Sequence, residues 1–173
     1  MVCPWWLCWS FDNPLRRLCH DPLRLLASYV KPGMTAADIG CGMGFFSIGL
    51  AKLAGPGGRV IAVDLQQKML AVLERRARRA GVADRIILHR CRKDGLGIEA
   101  KVDFVLAFWM VHEVPDHRRV FREVFTLLKT DGRLLLAEPK LHVSRNSLAQ
   151  TLAVCRETGL HLLDEPSVNL SRA

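Results

Sequence analysis

Short apolar runs alternate with amphipathic stretches along the chain from Thr35 onward. TAADIG, residues 35–40, predicts a strand that ends in a glycine turn, and GRVIAVDL, residues 58–65, predicts a second strand. Between and after them the alternation continues as helix 45–55, helix 66–81, strand 84–91, strand 101–111, helix 116–129, strand 131–139, helix 144–159 and strand 160–166. Strands that alternate with helices indicate βαβ units.

The predicted fold class is therefore α/β, with a doubly wound, mostly parallel sheet between two layers of helices. Ahead of the sheet, HDPLRLLASYVKPG predicts a helix with Asp21 as its N-cap and Pro22 in its first turn. We expect two parts in the chain, an N-terminal cap over residues 1–34 and one α/β domain over residues 35–173.

Composition limits the class of protein without naming a function. The chain has 173 residues, half of them apolar, which is enough to bury a core without metals or disulfides. No apolar run is long enough to cross a membrane and no signal peptide is evident, so we expect a cytoplasmic protein. The six cysteines include no C-x-x-C pair. The net charge of +8 permits an acidic partner such as nucleic acid but does not establish one.

The strongest chemical signal is DIGCGMG, residues 38–44, at a predicted strand-to-helix turn. Gly40, Gly42 and Gly44 allow a tight turn and a close approach of the backbone to a ligand. Their spacing, G-x-G-x-G, differs from the G-x-G-x-x-G of dinucleotide-binding folds. Asp38 stands two residues before the first glycine, where a carboxylate suits an ammonium group better than a phosphate.

A second acid, Asp64, ends the second predicted strand. A carboxylate at this position of a βαβ unit accepts hydrogen bonds from ribose hydroxyls. Alone, such an Asp would more often be a helix cap. Together with the glycine turn, it favours a nucleoside-containing ligand.

These two motifs resemble those of class I S-adenosylmethionine-dependent methyltransferases, and the resemblance extends from Thr35 to about Pro166. It implies a Rossmann-like sheet and S-adenosylmethionine as cofactor. The turn from Asp38 to Gly44 would hold the amino-acid part of the cofactor, Asp64 the ribose, and Leu65 one side of the adenine.

The sequence departs from the family pattern at two places. The third strand ends in HRCR, residues 89–92, where the family usually carries an acid near the adenine amine; Cys91 or Arg92 would line that wall instead. The family sheet ends in an antiparallel strand, which SVNLSRA, residues 167–173, matches only as a short or truncated strand.

In this fold an acceptor lies beyond the ends of the fourth and fifth strands. We expect Phe108 beside the cofactor and Trp109 in the wall of the acceptor pocket, because aromatic faces favour a cationic sulfonium. His112 is the candidate general base, since histidine titrates near neutrality. Glu138 and His142 follow the fifth strand and are candidates for the same pocket. Each has an alternative structural role, His112 in orienting its loop and Glu138 in a polar turn.

The first residues of the chain, CPWWLCWSF, suggest a lid over the acceptor. Trp5, Trp6 and Trp9 would exclude water and shape an apolar pocket. The alternatives are an N-terminal cap packed on the core, a membrane-interface anchor and, as a minor one, a thiophilic metalloid site that uses Cys3, Cys8 or Cys19.

The sequence thus favours methyl transfer to a small-molecule acceptor. An RNA or protein methyltransferase is the first alternative, because one helix carries a dense basic run, although a solvated helix face is the simpler interpretation of Arg75, Arg76, Arg78 and Arg79. Against nucleic acid, the fourth strand lacks the Asp/Asn-Pro-Pro-aromatic tetrad that clamps a base. A cofactor-binding partner subunit without catalysis also fits, and a nicotinamide-dependent oxidoreductase is disfavoured by the glycine spacing.

Overall fold

A six-stranded sheet forms the centre of the protein. The structure is a computed structural model, which describes residues 16–173 except for the side chains of residues 17 and 18. The strand order is β3-β2-β1-β4-β5-β6. The strands are β1 Thr35–Ile39, β2 Arg59–Asp64, β3 Ile86–Arg90, β4 Val102–Phe108, β5 Leu128–Pro139 and β6 Ser171–Arg172. The first five strands are parallel, and β6 runs antiparallel to the end of β5.

Helices cover both faces of this sheet, which confirms the predicted three-layer, doubly wound α/β architecture. Their bounds are α1 Arg16–Cys19, α2 Pro22–Leu26, α3 Phe45–Ala54, α4 Gln67–Arg79, α5 His117–Leu127 and α6 Arg145–Glu157. Two short 3₁₀ turns, Ala83–Arg85 and Val111–Glu113, precede β3 and follow β4. Apolar residues of α2, α3 and α4 pack on one face, and those of α5 and α6 pack on the other.

The alternation of side chains along β1 shows how the sequence builds two cores. Ala36 belongs to the cluster that packs under α3 and α4, whereas Ala37 belongs to the cluster under α5. Both residues are fully buried, because a parallel sheet with helices on both faces has no solvent-exposed side. Strands with this burial carry apolar residues on both faces, as the sequences of β1, β2 and β4 show.

The N-terminal helix α2 begins as its sequence predicts. Oδ1 of Asp21 accepts hydrogen bonds from the N–H groups of Leu23 and Arg24, and Pro22 occupies the first turn. The helix ends at Leu26, earlier than the pattern suggests. Pro22 packs so closely on α3 that a Cβ added to Gly49 would lie 2.5 Å from the Pro22 Cβ.

The predicted strand over residues 160–166 is wrong, because this segment has no regular secondary structure. A strand needs a hydrogen-bonding neighbour, and the described chain supplies none to these residues. A groove of about 1080 Å³ lies between them and β5, lined by Leu134, Leu136, Leu148 and Leu152. The antiparallel last strand is present but short, with Arg172 opposite Glu138 and Ser171 opposite Pro139. Within residues 16–173 no helix has both the length and the apolar composition needed to cross a membrane.

Truncation of Leu50 tests the core beneath α3. Leu50 is fully buried, so Leu50→Ala should lower the free energy of unfolding by about 2–5 kcal/mol. Leu141→Ala removes the same atoms from a residue that is 94 % exposed and should change it by less than about 0.5 kcal/mol. Urea titrations of both variants would measure the difference, and equal effects would contradict the packing described.

Candidate functional site

The turn between β1 and α3 lies at the carboxyl end of the sheet. Gly40, Gly42 and Gly44 have φ values of 70°, 53° and 83°, a region that other residues rarely adopt. The N–H groups of Gly40 and Cys41 both donate to the carbonyl oxygen of Val63, at 2.8 and 2.9 Å. These two bonds attach the turn to the end of β2.

The three glycines differ in what surrounds them. A Cβ on Gly40 would lie 2.7 Å from the Cβ of Met110, and one on Gly44 would lie 2.0 Å from Cδ1 of Leu73. Gly42 has no heavy atom within 4 Å of that position. The backbone of the turn is therefore closed by side chains at both ends and open in its middle, where a ligand can approach it.

Asp38 is buried directly before this turn, with only 2 % of its surface exposed. Its Oδ2 accepts a hydrogen bond of 2.5 Å from the Ser47 hydroxyl on α3. Burial raises the pKa of the Asp38 carboxyl to about 6, and the nearby Asp64 charge adds to the increase. The Ser47 hydrogen bond and the positive charge of Arg16 lower that pKa but do not offset the burial.

Asp64 ends β2 on the other side of the turn. Its Oδ2 accepts from the Gly42 N–H at 2.9 Å, and its Oδ1 accepts from the Gln66 N–H at 2.7 Å. Burial raises the pKa of this carboxyl as well. A carboxylate has about four acceptor positions, so further donors such as ribose hydroxyls can bind beside the two backbone groups.

The wall beyond Asp64 is formed by the ends of β2 and β3. The Cys91 N–H donates to the Asp64 carbonyl oxygen at 3.1 Å, and the Cys91 side chain is partly buried. Leu65 is partly exposed, and its carbonyl oxygen accepts from Arg90 Nε. Arg92 is exposed in a tight turn. Of the two residues expected to line this wall, the structure places Cys91 beside Asp64 and shows no contact of Arg92 with the glycine turn among the described residues.

Glu138, near the end of β5, is the most buried acid on the acceptor side, at 2 % exposure. Its Oε1 accepts from the Val111 N–H at 2.8 Å. Its Oε2 lies 2.5 Å from Nδ1 of His112, which carries the proton and donates it. This hydrogen bond raises the pKa of His112, against the opposing effect of burial. The carboxylate therefore fixes the imidazole with Nε2 on the opposite edge of the ring.

His142 follows β5 and approaches the same pair. Its ring centre lies 5.9 Å from that of His112. The structure thus brings His112, Glu138 and His142 together at the ends of β4 and β5, although His142 itself is exposed. Glu138 belongs to the site through His112 and through the backbone of the 3₁₀ turn, a contact the sequence does not show.

Two consecutive aromatic residues at the end of β4 contact His20, and the first of them also contacts Phe46 on α3. Phe108 is buried at the end of β4, and its ring centre lies 5.5 Å from that of Trp109. Trp109 has a left-handed backbone, with φ of 58°. Its N–H donates to the Ala137 carbonyl oxygen at 2.7 Å, and its Nε1–H donates to Oγ of Ser171 at 2.8 Å. The strained backbone is held by contacts to both β5 and β6.

Three residues of the site carry no signal in the sequence. Ser47 holds Asp38, and His20 is buried with its Nε2 2.6 Å from the Asn169 carbonyl oxygen. The His20 ring meets Phe108 and Trp109 edge-on, at 5.2 and 5.1 Å. Arg16 is the third, with its guanidinium over the same rings. The contacts of His20 and Arg16 join the N-terminal segment to the end of β4, and the contact of Ser47 joins α3 to β1, so no local pattern shows them. The tryptophans expected in a lid, Trp5, Trp6 and Trp9, lie outside the described residues, as do Cys3 and Cys8.

Comparison with known proteins agrees with this geometry. The family model described as "Methyltransferase domain" matches residues 30–163. A protein named demethylmenaquinone methyltransferase, from Lactobacillus johnsonii, is 34 % identical over 112 residues, which is 63 % of this chain and 45 % of the relative. The chain thus spans about half the length of the curated relatives it matches.

Solved structures show the same fold at low sequence identity. A SAM-dependent methyltransferase from Aquifex aeolicus superimposes with a TM-score of 0.86 at 21 % identity, over 99 % of this chain and 96 % of the other. The [4+2]-cyclase SpnF matches with a TM-score of 0.73 at 21 % identity, over 84 % of this chain and 59 % of the other. Because the family model covers most of the chain, and solved methyltransferases share its fold, the chain belongs to the methyltransferase domain family, as a class I S-adenosylmethionine-dependent methyltransferase.

Proposed function

We propose that this chain transfers a methyl group from S-adenosylmethionine to a small-molecule acceptor bound at the ends of β4 and β5. The observation that carries the proposal is the pair of buried carboxyls, Asp38 and Asp64, on either side of the open backbone at Gly42. Relatives named demethylmenaquinone methyltransferase support a small acceptor of that kind.

The residues of the turn fit the cofactor. A carboxyl with a pKa near 6 is held in a site that disfavours its charge, and a ligand ammonium group would remove that penalty. Asp38 would therefore hold the ammonium group, Gly42 would allow the close approach, and Asp64 would hold the ribose hydroxyls. Leu65 and Cys91 would contact the adenine. The bound cofactor supplies an activated methyl group on a sulfonium with a neutral leaving group.

The chain's own contribution is then mainly alignment and exclusion of water. Alignment of two reactants contributes at most about 7–11 kcal/mol to lowering a barrier. Phe108 and Trp109 form an aromatic wall at the end of β4, directly before the 3₁₀ turn that carries His112. This wall would keep water away from the reacting groups and stabilise positive charge on its aromatic faces.

His112 would act as the general base. Its Nδ1 is occupied by Glu138, so Nε2 is the atom that would accept a proton from the acceptor. Glu138 would stabilise the imidazolium that forms, and His142 would line the pocket beside it. A base must be neutral to accept a proton, so this role requires a pH above the raised pKa of His112.

We also propose that the N-terminal residues 1–34 form a cap whose tryptophans, Trp5, Trp6 and Trp9, cover the acceptor. The support is that Arg16 and His20, described residues that follow these tryptophans in the sequence, both contact Trp109. A cytoplasmic location is also part of this proposal, since Cys19, Cys41, Cys91 and Cys155 are free thiols.

The basic run of α4 favours a structural role over nucleic-acid binding. In it, Arg78 pairs with Glu74, and Arg76 donates to the Met43 carbonyl oxygen.

Calorimetric titration with S-adenosylmethionine and with NADH tests the cofactor. We expect binding of the first alone. Asp64→Asn should weaken it about tenfold or more, because a neutral amide accepts ribose hydrogen bonds less strongly than a carboxylate. The amide keeps an acceptor for only one of the two backbone N–H groups, those of Gly42 and Gln66, so the melting temperature of the variant is measured beside its binding. Binding of neither ligand by the wild type would reject the proposed function. Cofactor binding without methyl transfer to any small-molecule pool would favour the partner-subunit alternative.

Asp38→Asn should stabilise the ligand-free protein while abolishing cofactor binding. The folded pKa of about 6 exceeds the ordinary 3.8, so the contribution of Asp38 to stability is present at low pH and is lost as pH rises through 6. At pH 7.5 the charged carboxyl then opposes folding by about 3 kcal/mol, which the neutral amide avoids.

Thermal unfolding between pH 4 and pH 7.5 measures this effect. The gain in melting temperature should be small at pH 4 and largest at pH 7.5. A variant that is destabilised across the whole range, or one that still binds S-adenosylmethionine as the wild type does, would contradict this role of Asp38.

The His112–Glu138 pair predicts a specific pH dependence. NMR titration should give His112 a pKa above the ordinary 6.5, and Glu138→Gln should lower it, since the negative hydrogen-bond partner is lost. With demethylmenaquinone in its reduced form as the first acceptor tested, kcat of the wild type should rise with pH through that pKa. His112→Asn should lower kcat by about 10²–10⁴-fold and remove the dependence. An unchanged pH profile in His112→Asn would exclude histidine as the base.

A further inference from the structure

Arg16 is a residue of the site that belongs to neither motif and has no role in the proposed mechanism. Its guanidinium carbon lies 4.7 Å from the ring centre of Phe45 and 5.4 Å from that of Phe46. It also lies 5.9 Å from the ring of Phe108 and 5.4 Å from that of Trp109. Four aromatic rings from two different parts of the chain therefore surround one cation.

These rings connect Arg16 to the glycine turn. Phe45 and Phe46 are the first two residues of α3, directly after Gly44. Ser47 comes next, and its hydroxyl holds the Asp38 carboxyl. The charge of Arg16 also lowers the pKa of Asp38, so the guanidinium lies within electrostatic reach of that carboxyl. Arg16 thus stands on the same side of the turn as the acid expected to hold the ammonium group.

The amino-acid part of S-adenosylmethionine carries two opposite charges. Asp38 suits the ammonium group, and the carboxylate needs a cationic partner or several N–H donors. A guanidinium offers parallel N–H groups that match the two oxygens of a carboxylate. Packing on aromatic rings restricts the side chain before the ligand arrives, which lowers the entropy lost on binding.

We propose that Arg16 binds the carboxylate of the cofactor's amino-acid part, so that Asp38 and Arg16 together recognise its two opposite charges. This inference rests on the proposed function. It makes the short helix α1 part of the cofactor site and explains why the N-terminal segment lies against Phe108 and Trp109.

The aromatic rings also allow a different arrangement, which makes an opposite prediction. A sulfonium is a cation and favours the same ring faces. If the sulfonium occupied the place where Arg16 now lies, the arginine would compete with it. Removal of the arginine would then strengthen binding of the charged cofactor and leave its neutral product, S-adenosylhomocysteine, unaffected.

Binding of three ligands separates these cases by calorimetry, without any acceptor. The ligands are S-adenosylmethionine, S-adenosylhomocysteine and decarboxylated S-adenosylmethionine, which lacks only the carboxylate. Arg16→Gln should weaken the first two by about 10–100-fold, the range for a hydrogen-bonded ion pair, and leave the third unchanged. Arg16→Lys should recover part of the loss. The control Arg24→Gln alters an exposed arginine on α2 and should bind all three as the wild type does.

Four results would overturn the inference. Equal weakening of all three ligands by Arg16→Gln would show that the arginine acts only on the structure, and melting temperatures of the variants would confirm this. Tighter binding of S-adenosylmethionine alone would assign the rings to the sulfonium. A wild type that binds none of the ligands would reject the proposed function along with this inference, whereas an unchanged Arg16→Gln variant would reject the inference alone.

Discussion

The buried carboxyl of Asp38 sets the arrangement of the whole site. It stands near the end of the central strand β1, next to the turn that three left-handed glycines form, and its burial raises its pKa to about 6. The rest of the carboxyl edge of the sheet is arranged around it. Val63 holds the turn in place, Ser47 fixes one oxygen, and Met110 and Leu73 close the ends of the turn.

The acceptor side depends on a second buried carboxyl, Glu138, which performs a different task. It joins three segments, since it lies on β5, accepts from the backbone of the 3₁₀ turn after β4, and fixes the ring of His112. Its charge is satisfied by protein donors, whereas the charge of Asp38 opposes folding in the free protein. The two acids therefore have different roles. Glu138 positions the His112 side chain, and in the proposed function Asp38 binds the ammonium group of the cofactor.

Local pattern in the sequence predicts most of the fold and the position of the glycine turn, whereas the roles of the candidate site residues stay predictions. The alternation of apolar runs predicts β1 to β5 and the helices between them, and the glycine spacing alone locates the turn between β1 and α3. The failure at residues 160–166 has a physical reason, because an apolar run becomes a strand only if a neighbouring strand pairs with it. Arg16, His20 and Ser47 escape prediction because their contacts cross from one element to another. A single sequence shows the spacing along the chain but not which distant segments meet.

The outer edge of β5 has a consequence for how the protein behaves in solution. The strand is twelve residues long, yet within the described chain its antiparallel ladder reaches only Glu138 and Pro139. An open strand edge is a template for another strand, and the mutual repulsion of molecules that each carry a net charge of +8 opposes such pairing. Salt screens charges of this kind. We therefore expect the concentration at which molecules begin to associate through this edge to fall as ionic strength rises, so that colloidal stability is greatest in dilute buffer.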